Sequence, residues 1–308
     1  MPEQRTVTLN MGPQHPSTHG VLRVVVELDG ERVVKVTPVV GYLHTGIEKT
    51  MESKLYYQAL VCTDRMDYLA PMSNNLGYCL AVEKLMDIEV PEKVQWARVC
   101  LAELTRIKSH LVWLGTHSID LGAMSMLLYT FRDRESIIDV YEACGGQRMM
   151  TSYIRIGGLA HELPVDFDKK VRRVVKQVNE GLADYENLLT NNEIFINRTR
   201  NVAVISAEDA IAWSLSGPML RGSGVKHDLR KANPYSGYEN FDFEIAYGKN
   251  GDAYDRYLLR LKEIRQSLRI INQALDGMPE GQAAQPVLEV SVPCRLPGPW
   301  RGWLAGSC

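Results

Sequence analysis

Closely spaced cysteines are what this chain most clearly lacks. Its six cysteines stand at 62, 79, 100, 144, 294 and 308, and no two form a C-x-x-C pair. That excludes the usual zinc-ligand spacing and a thioredoxin-type motif. Long apolar runs are missing too: none reaches the roughly 18 residues that a membrane-crossing helix needs. There is no basic excess, since 35 Lys and Arg face 37 Asp and Glu for a formal net charge of −2. Nucleic acid is therefore not an expected partner. The opening "MPEQRTVTLN" has no apolar core of a secretory signal, so the thiols are expected to be free in a reducing compartment. What remains is an ordinary globular composition, 45% hydrophobic and 23% charged, in 308 residues. That is enough for one large or two medium domains.

The stretch "MGPQHPSTHG", residues 11–20, carries His15 and His19 among two prolines and two glycines, a loop composition. It leads into two Val-rich runs around Asp29-Gly30, which read as a β-hairpin over 21–41. From Gly46 the pattern turns helical. Helices are expected over 72–87, over 91–115 with Gly115 as the stop, and from Ile119 to Gly145-Gly146. Two more are expected over about 166–189 and 252–275, the last with Lys262, Arg265 and Arg269 on its solvated face. Residues 216–239 are rich in Gly, Ser and Pro and show little periodicity, as functional or unstructured loops do. Residues 281–308 hold four of the fourteen prolines, two of the five tryptophans and no lysine. They form a compositionally distinct tail, expected to pack poorly and to exchange its amide hydrogens freely.

Three constellations bear chemistry. His15 and His19 could join His44 and Glu48 in a metal site, but no HExxH or cysteine cluster supports one. A rigid loop bearing an imidazole also suits a small-molecule ligand. Arg65, Asp67 and Tyr68 sit together before a helix, where a surface ion pair and a core-edge tyrosine are the ordinary roles. His117 and Asp120 fall at a helix–helix junction, where Asp120 would ordinarily be an N-cap.

Taken together, six stretches resemble one family. "GPQHPSTHG", "GYLHTGIEKTME", "DRMDYL", "RIKSHLVWLGTHSIDLGA", "RESIIDVYEACGGQRMMTSYIRIGG" and "LRGSGVKHDLRKANPYSGYE" stand in the order and spacing of the 49-kDa-type subunit of respiratory complex I. The resemblance covers about residues 7–278. It implies an α+β fold: a small N-terminal antiparallel sheet, about 1–40, and a mainly helical core, about 46–278, of hydrogenase-large-subunit type. It also implies one 49-kDa-type domain over 1–280, followed by the atypical tail 281–308.

Nickel–iron hydrogenases carry an early R-x-C-G-x-C segment. Here it would fall on Arg65–Ala70, with Asp67 and Ala70 where the cysteines belong, so the soft ligands of a nickel–iron site are missing. In the family the vacated cavity takes a quinone as substrate. The resemblance implies that His19 and Tyr68 donate to the two quinone oxygens, that Asp120 orients His19, and that Arg65 lies near a partner's cluster. Reduction makes both oxygens basic, so each needs a positioned donor. The implied partners are an iron–sulfur small subunit with the terminal 4Fe–4S cluster, a 30-kDa-type subunit and a membrane-arm quinone-channel subunit. NADH, FMN and the iron–sulfur clusters would belong to partners, and this chain would have no metal of its own. The implied location is peripheral, on the cytoplasmic face of a bacterial plasma membrane.

Two departures stand out: Met149 and Met150 occupy the place of a family histidine near the cluster, and the family's further C-terminal segment is replaced by the tail. A related membrane-bound hydrogenase subunit and an inactive scaffold are the alternatives.

Overall fold

The computed structural model describes residues 6–14 and 20–284. The chain opens on a three-stranded antiparallel sheet in the order β1 (Val7–Met11), β2 (Arg23–Asp29), β3 (Arg32–Val39). Asp29 pairs with Arg32 across the hairpin turn, where Gly30 takes φ 62°. A two-residue turn that follows the strand twist requires positive φ, which glycine adopts without a Cβ clash. β1 pairs with β2 from Val7–Leu28 to Met11–Val24 and completes the expected small sheet. His15 and His19 lie outside the described residues.

The sheet contributes little to the core. Val26 is its one buried apolar residue among those described, whereas Val7, Val33, Val34 and Val36 are 52–63% exposed. Neighbours in a strand point to opposite faces, so both faces of β3 present valine. Exposed apolar surface of this kind marks an interaction face. The chain purified alone is therefore expected to self-associate in size-exclusion chromatography with light scattering. A monodisperse monomer would show that the sheet needs no cover.

Helices make up most of the rest: α1 (Ile47–Glu52), α2 (Tyr56–Thr63), α3 (Pro71–Met86), α4 (Glu92–Asp120) and α5 (Ser125–Gly145). A short ribbon, β4 (Ile154–Arg155) with β5 (Gly158–Leu159), precedes α6 (Phe167–Tyr185). Short helices α7 (Glu193–Thr199), α8 (Ala207–Ala212), α9 (Gly217–Gly222) and α10 (Leu229–Ala232) lead to α11 (Ala253–Gly277). α4 packs on α5, α5 on α6, α6 on α11 and α11 back on α4, which closes a four-helix ring. α4 is the central member, with Val94, Leu101, Leu104, Ile107 and Leu111 wholly buried. On α6 the stripe Val171, Val174, Val178, Leu182 and Tyr185 faces inward, as its spacing requires. On α11, Lys262, Arg265 and Arg269 lie on the solvent side as expected.

Three boundaries differ from the sequence expectation. α4 does not stop at Gly115 but runs to Asp120. Gly115 is there for close packing: a Cβ would lie 2.6 Å from Thr130 Oγ1 and 3.3 Å from the Leu127 Cα of α5. α5 correspondingly starts at Ser125, not Ile119, and ends on Gly146 in the left-handed region as expected. Residues 216–239 are not featureless but hold α9, α10 and the start of a 3-10 turn at Tyr238–Asn240. Gly115→Ala is expected to lower the thermal unfolding midpoint. Overpacking costs about 1–3 kcal/mol, which exceeds the ~1 kcal/mol gain in helix propensity. An unchanged or raised midpoint by circular dichroism would show that α5 yields freely.

Of the compositionally distinct tail, residues 281–284 are described. The Ala283 and Ala284 amides donate to Glu162 Oε1 at 2.9 and 2.8 Å, and Ala283 is buried. The rest of the tail lies outside the described residues.

Candidate functional site

The turn between α2 and α3 carries "DRMDYLA", residues 64–70. Its outer side is open: Tyr68 is 52% exposed, and among the described residues nothing hydrogen-bonds its hydroxyl. Its root is tied down. Asp67 Oδ1 accepts from the Leu69 amide at 3.0 Å, and Asn74 Nδ2 donates to the Asp67 carbonyl at 3.1 Å. Asx turns of this kind fix a short loop without further chain. Asn75 Nδ2 donates to Thr63 Oγ1 at 2.8 Å and staples the end of α2 to α3. The expected Arg65–Asp67 surface pair does not form. Arg65 instead donates to the Val61 carbonyl at 2.8 Å and faces Asp64 at 3.6 Å, because Asp67 is occupied by its own turn.

Asp64 is wholly buried and accepts a hydrogen bond from Ser152 Oγ. Burial raises its carboxyl pKa; Ser152, Asn75 and Arg65 offset part of that rise. Ser152 is held at φ 43°, a left-handed conformation that non-glycine residues rarely adopt. Lys108 of α4 is fully buried with its Nζ 4.7 Å from the centre of the Tyr141 ring. Burial and then Arg134 push its ammonium pKa down to about 8, against the pull of Asp67 and Asp64.

Asp120 is the exposed last residue of α4, not the N-cap of α5. The residue in the N-cap position of α5 is Met124. An acidic side chain at a helix C-terminus meets the negative end of the helix dipole. One turn back, His117 stacks on Trp113 at 4.5 Å, and the Arg260 guanidinium lies 3.8 Å from the centre of the Trp113 ring. Burial and Arg260 hold the His117 pKa down, while Asp120 raises it. His19, the expected partner of Asp120, lies outside the described residues. His44 and Glu48 meet at 3.9 Å on an exposed turn, and among the described residues no group of three or more His, Cys, Asp or Glu could hold a metal ion.

A groove of about 1110 Å³ has Ala70 of the α2–α3 turn in its lining, together with Glu83, Arg98, Arg106, His110 and Tyr235. Its buried charges are paired. Arg98 binds Glu83 at 2.6 and 2.9 Å and the carbonyls of Arg155 and Gly158. His110 Nε2 meets Glu263 Oε2 at 2.7 Å, and Arg221 donates to the other oxygen of Glu263. Arg221 heads the segment "RGSG" and ties it to Glu263 of α11. Tyr68 is not among the residues that line this groove.

Comparison with known proteins bears on all of these stretches at once. Residues 120–296 match the family described as the 49-kDa subunit of respiratory-chain NADH dehydrogenase. The chain belongs to this family. An NADH-quinone oxidoreductase subunit of Chloroflexus aurantiacus is 62% identical over 275 residues, which is 89% of this chain and 67% of that protein. The corresponding NADH-quinone oxidoreductase subunit of Solibacter usitatus is 54% identical over 291 residues, covering 94% and 71%. That of Koribacter versatilis is 54% identical over 293 residues, covering 95% and 73%. The chain thus spans between 67% and 73% of these relatives' length. The family match also reaches residue 296, inside the compositionally distinct tail. Among the described residues of this 49-kDa-type chain no helix is long and apolar enough to cross a membrane.

Sequence reading misses the buried half of the site. Lys108 has a visible signal: it falls on the apolar face of α4 between Leu104 and Leu111, where a cation is out of place. Asp64 and Ser152 have none, because their meeting depends on a contact 88 residues apart.

Proposed function

We propose that the α2–α3 turn is where this 49-kDa-type subunit meets the quinone of an NADH–quinone oxidoreductase. Tyr68 donates its phenol proton to one quinone oxygen, and His19, oriented by Asp120, donates to the other. Arg65 lies toward the terminal iron–sulfur cluster of a small partner subunit. That partner, a 30-kDa-type subunit and a membrane-arm quinone-channel subunit are the neighbours this function requires. The complex sits peripherally on the cytoplasmic face of a bacterial plasma membrane. NADH, FMN and the iron–sulfur clusters are carried by partners; the quinone is substrate.

One observation carries the assignment: Tyr68 is presented, half exposed, on a turn whose root is immobilised by Asp67, Asn74, Asn75 and Thr63. A donor that acts in a transition state must be preorganised, and a flexible tyrosine would forfeit most of that benefit. Quinone turnover of the assembled complex carrying Tyr68→Phe is the deciding experiment.

A further inference from the structure

We propose that Ser152 and Asp64 form a buried latch that holds the guanidinium of Arg65 in one direction at the root of the α2–α3 turn. Both are positioning residues, and they act through Arg65. Their role in electron transfer rests on the placing of Arg65 toward the partner's terminal cluster; the latch itself does not.

Asp64 closes α2, and its side chain is wholly buried. One of its oxygens, Oδ2, takes two groups: it accepts from Ser152 Oγ and lies 3.6 Å from Arg65 Nη1. The other, Oδ1, has no hydrogen-bond partner among the described residues. The carboxylate is thus held at Oδ2, and the hydroxyl that holds it comes from 88 residues further along the chain. A buried carboxylate needs such a donor, because nothing else replaces the water it has lost.

The choice of serine points the same way. At φ 43° a glycine would sit without strain, so a serine there is explained by the hydroxyl that glycine lacks. Such strain persists where the neighbouring chain is fixed. Here the Tyr153 hydroxyl donates to the His161 carbonyl at 2.9 Å, Cys79 of α3 donates to the Ile154 carbonyl at 3.8 Å, and Arg98 of α4 donates to the Arg155 carbonyl at 2.7 Å. Through Ser152 this frame reaches Asp64, and through Asp64 it reaches Arg65. Arg65 Nη1 also donates to the Val61 carbonyl at 2.8 Å. Its Nε and Nη2 donate to nothing among the described residues, and the side chain is half exposed. Two anchors on one nitrogen fix the direction of a planar group and leave its other donors for a partner. A positive charge held near an iron–sulfur cluster favours the reduced cluster, and one free to swing away favours it less.

A bond that only stabilises the fold is the competing role, and Ser152→Gly separates the two. It removes the hydroxyl and the backbone strain together, so the variant is expected to fold and assemble. Electron-microscopy structures of the assembled complex read the latch directly. The parent should show Arg65 against Asp64, and Ser152→Gly should show it released; an Arg65 that stays in place overturns the proposal whatever else changes. Redox titration of the terminal cluster, followed by electron paramagnetic resonance, reads the role. Arg65→Gln should lower the cluster's midpoint potential, and Ser152→Gly should lower it in the same direction by less. In the Arg65→Gln background, Ser152→Gly should add no further shift, since its effect passes through Arg65. If Arg65→Gln moves the potential while Ser152→Gly leaves it parental, or adds its shift in full on top, the positioning role is overturned. If Arg65 is released in Ser152→Gly but neither variant moves the potential, the latch stands and the placing of Arg65 toward the cluster fails.

Discussion

Glu103→Leu is expected to destabilise the chain by about 3–5 kcal/mol, the range for removing one partner of a buried ion pair. Glu103 is wholly buried in α4 and serves four donors. Oε1 accepts from Arg230 at 2.9 Å and from the Tyr238 hydroxyl at 2.6 Å; Oε2 accepts from Ser267 at 2.6 Å and Arg106 at 3.2 Å. Burial alone would raise its pKa, but Arg106 and Arg230 overcome that and hold it at about 2. Leucine has similar bulk but leaves the buried guanidinium of Arg230 with Asp228 alone. The loop bearing Arg230 and Tyr238 should therefore loosen from α4 and α11. Glu103→Gln, which keeps an acceptor but not the charge, should cost less. The sign of the pH dependence follows. A carboxyl depressed in the folded state contributes stability that is complete above the unfolded value of 4.5 and lost as pH falls through about 2. Glu263, also held at about 2, adds to the same window. Urea unfolding should thus weaken steeply below pH 4.5, and less so in Glu103→Gln. A Leu variant within about 0.5 kcal/mol of the parent, the range of an ordinary surface change, would show that the network does not clamp the loop.

That network explains what the sequence can and cannot tell. "LRGSGVKHDLRKANPYSGYE" reads as a functional loop because it is long, polar and aperiodic. Its charges are spent on structure: Arg221 on Glu263, Arg230 on Asp228 and Glu103, Tyr238 on Glu103. A local pattern cannot distinguish a charge aimed at a ligand from one aimed at a carboxylate 127 residues earlier in the chain. The helices are legible because burial of an apolar stripe follows from spacing alone, as on α6. Gly115 reads as a stop for the same local reason. Its meaning lies in Thr130 and Leu127 of the neighbouring helix, which no periodicity reveals. The stretch before α3 is visible as a turn, but Tyr68 on it is exposed and not a core-edge residue. That Asp64 and Lys108 are both buried follows only from tertiary contacts.

Tyr68→Phe should leave the fold alone and strike the chemistry. The hydroxyl has no hydrogen-bond partner among the described residues, so removing it orphans none of them and should shift stability by less than about 0.5 kcal/mol. If that hydroxyl donates to a quinone oxygen as negative charge builds there, its loss should cost about 2.7–4 kcal/mol in the transition state. That is the cost of losing one preorganised donor, a 10²–10³-fold fall in turnover. The fall should appear mainly in kcat, since the neutral quinone gains less from the donor than the reduced one does. Reduction of the partner cluster by NADH should survive, because those electrons arrive before the quinone is involved. That contrast separates a chemical defect from a failure to assemble, in which both readouts drop together. Turnover at the parental level in a fully assembled Tyr68→Phe complex would remove Tyr68 from the site. So would a structure of the complex in which Tyr68, His19 and Asp120 face different environments, since two donors for one headgroup must converge on a single space.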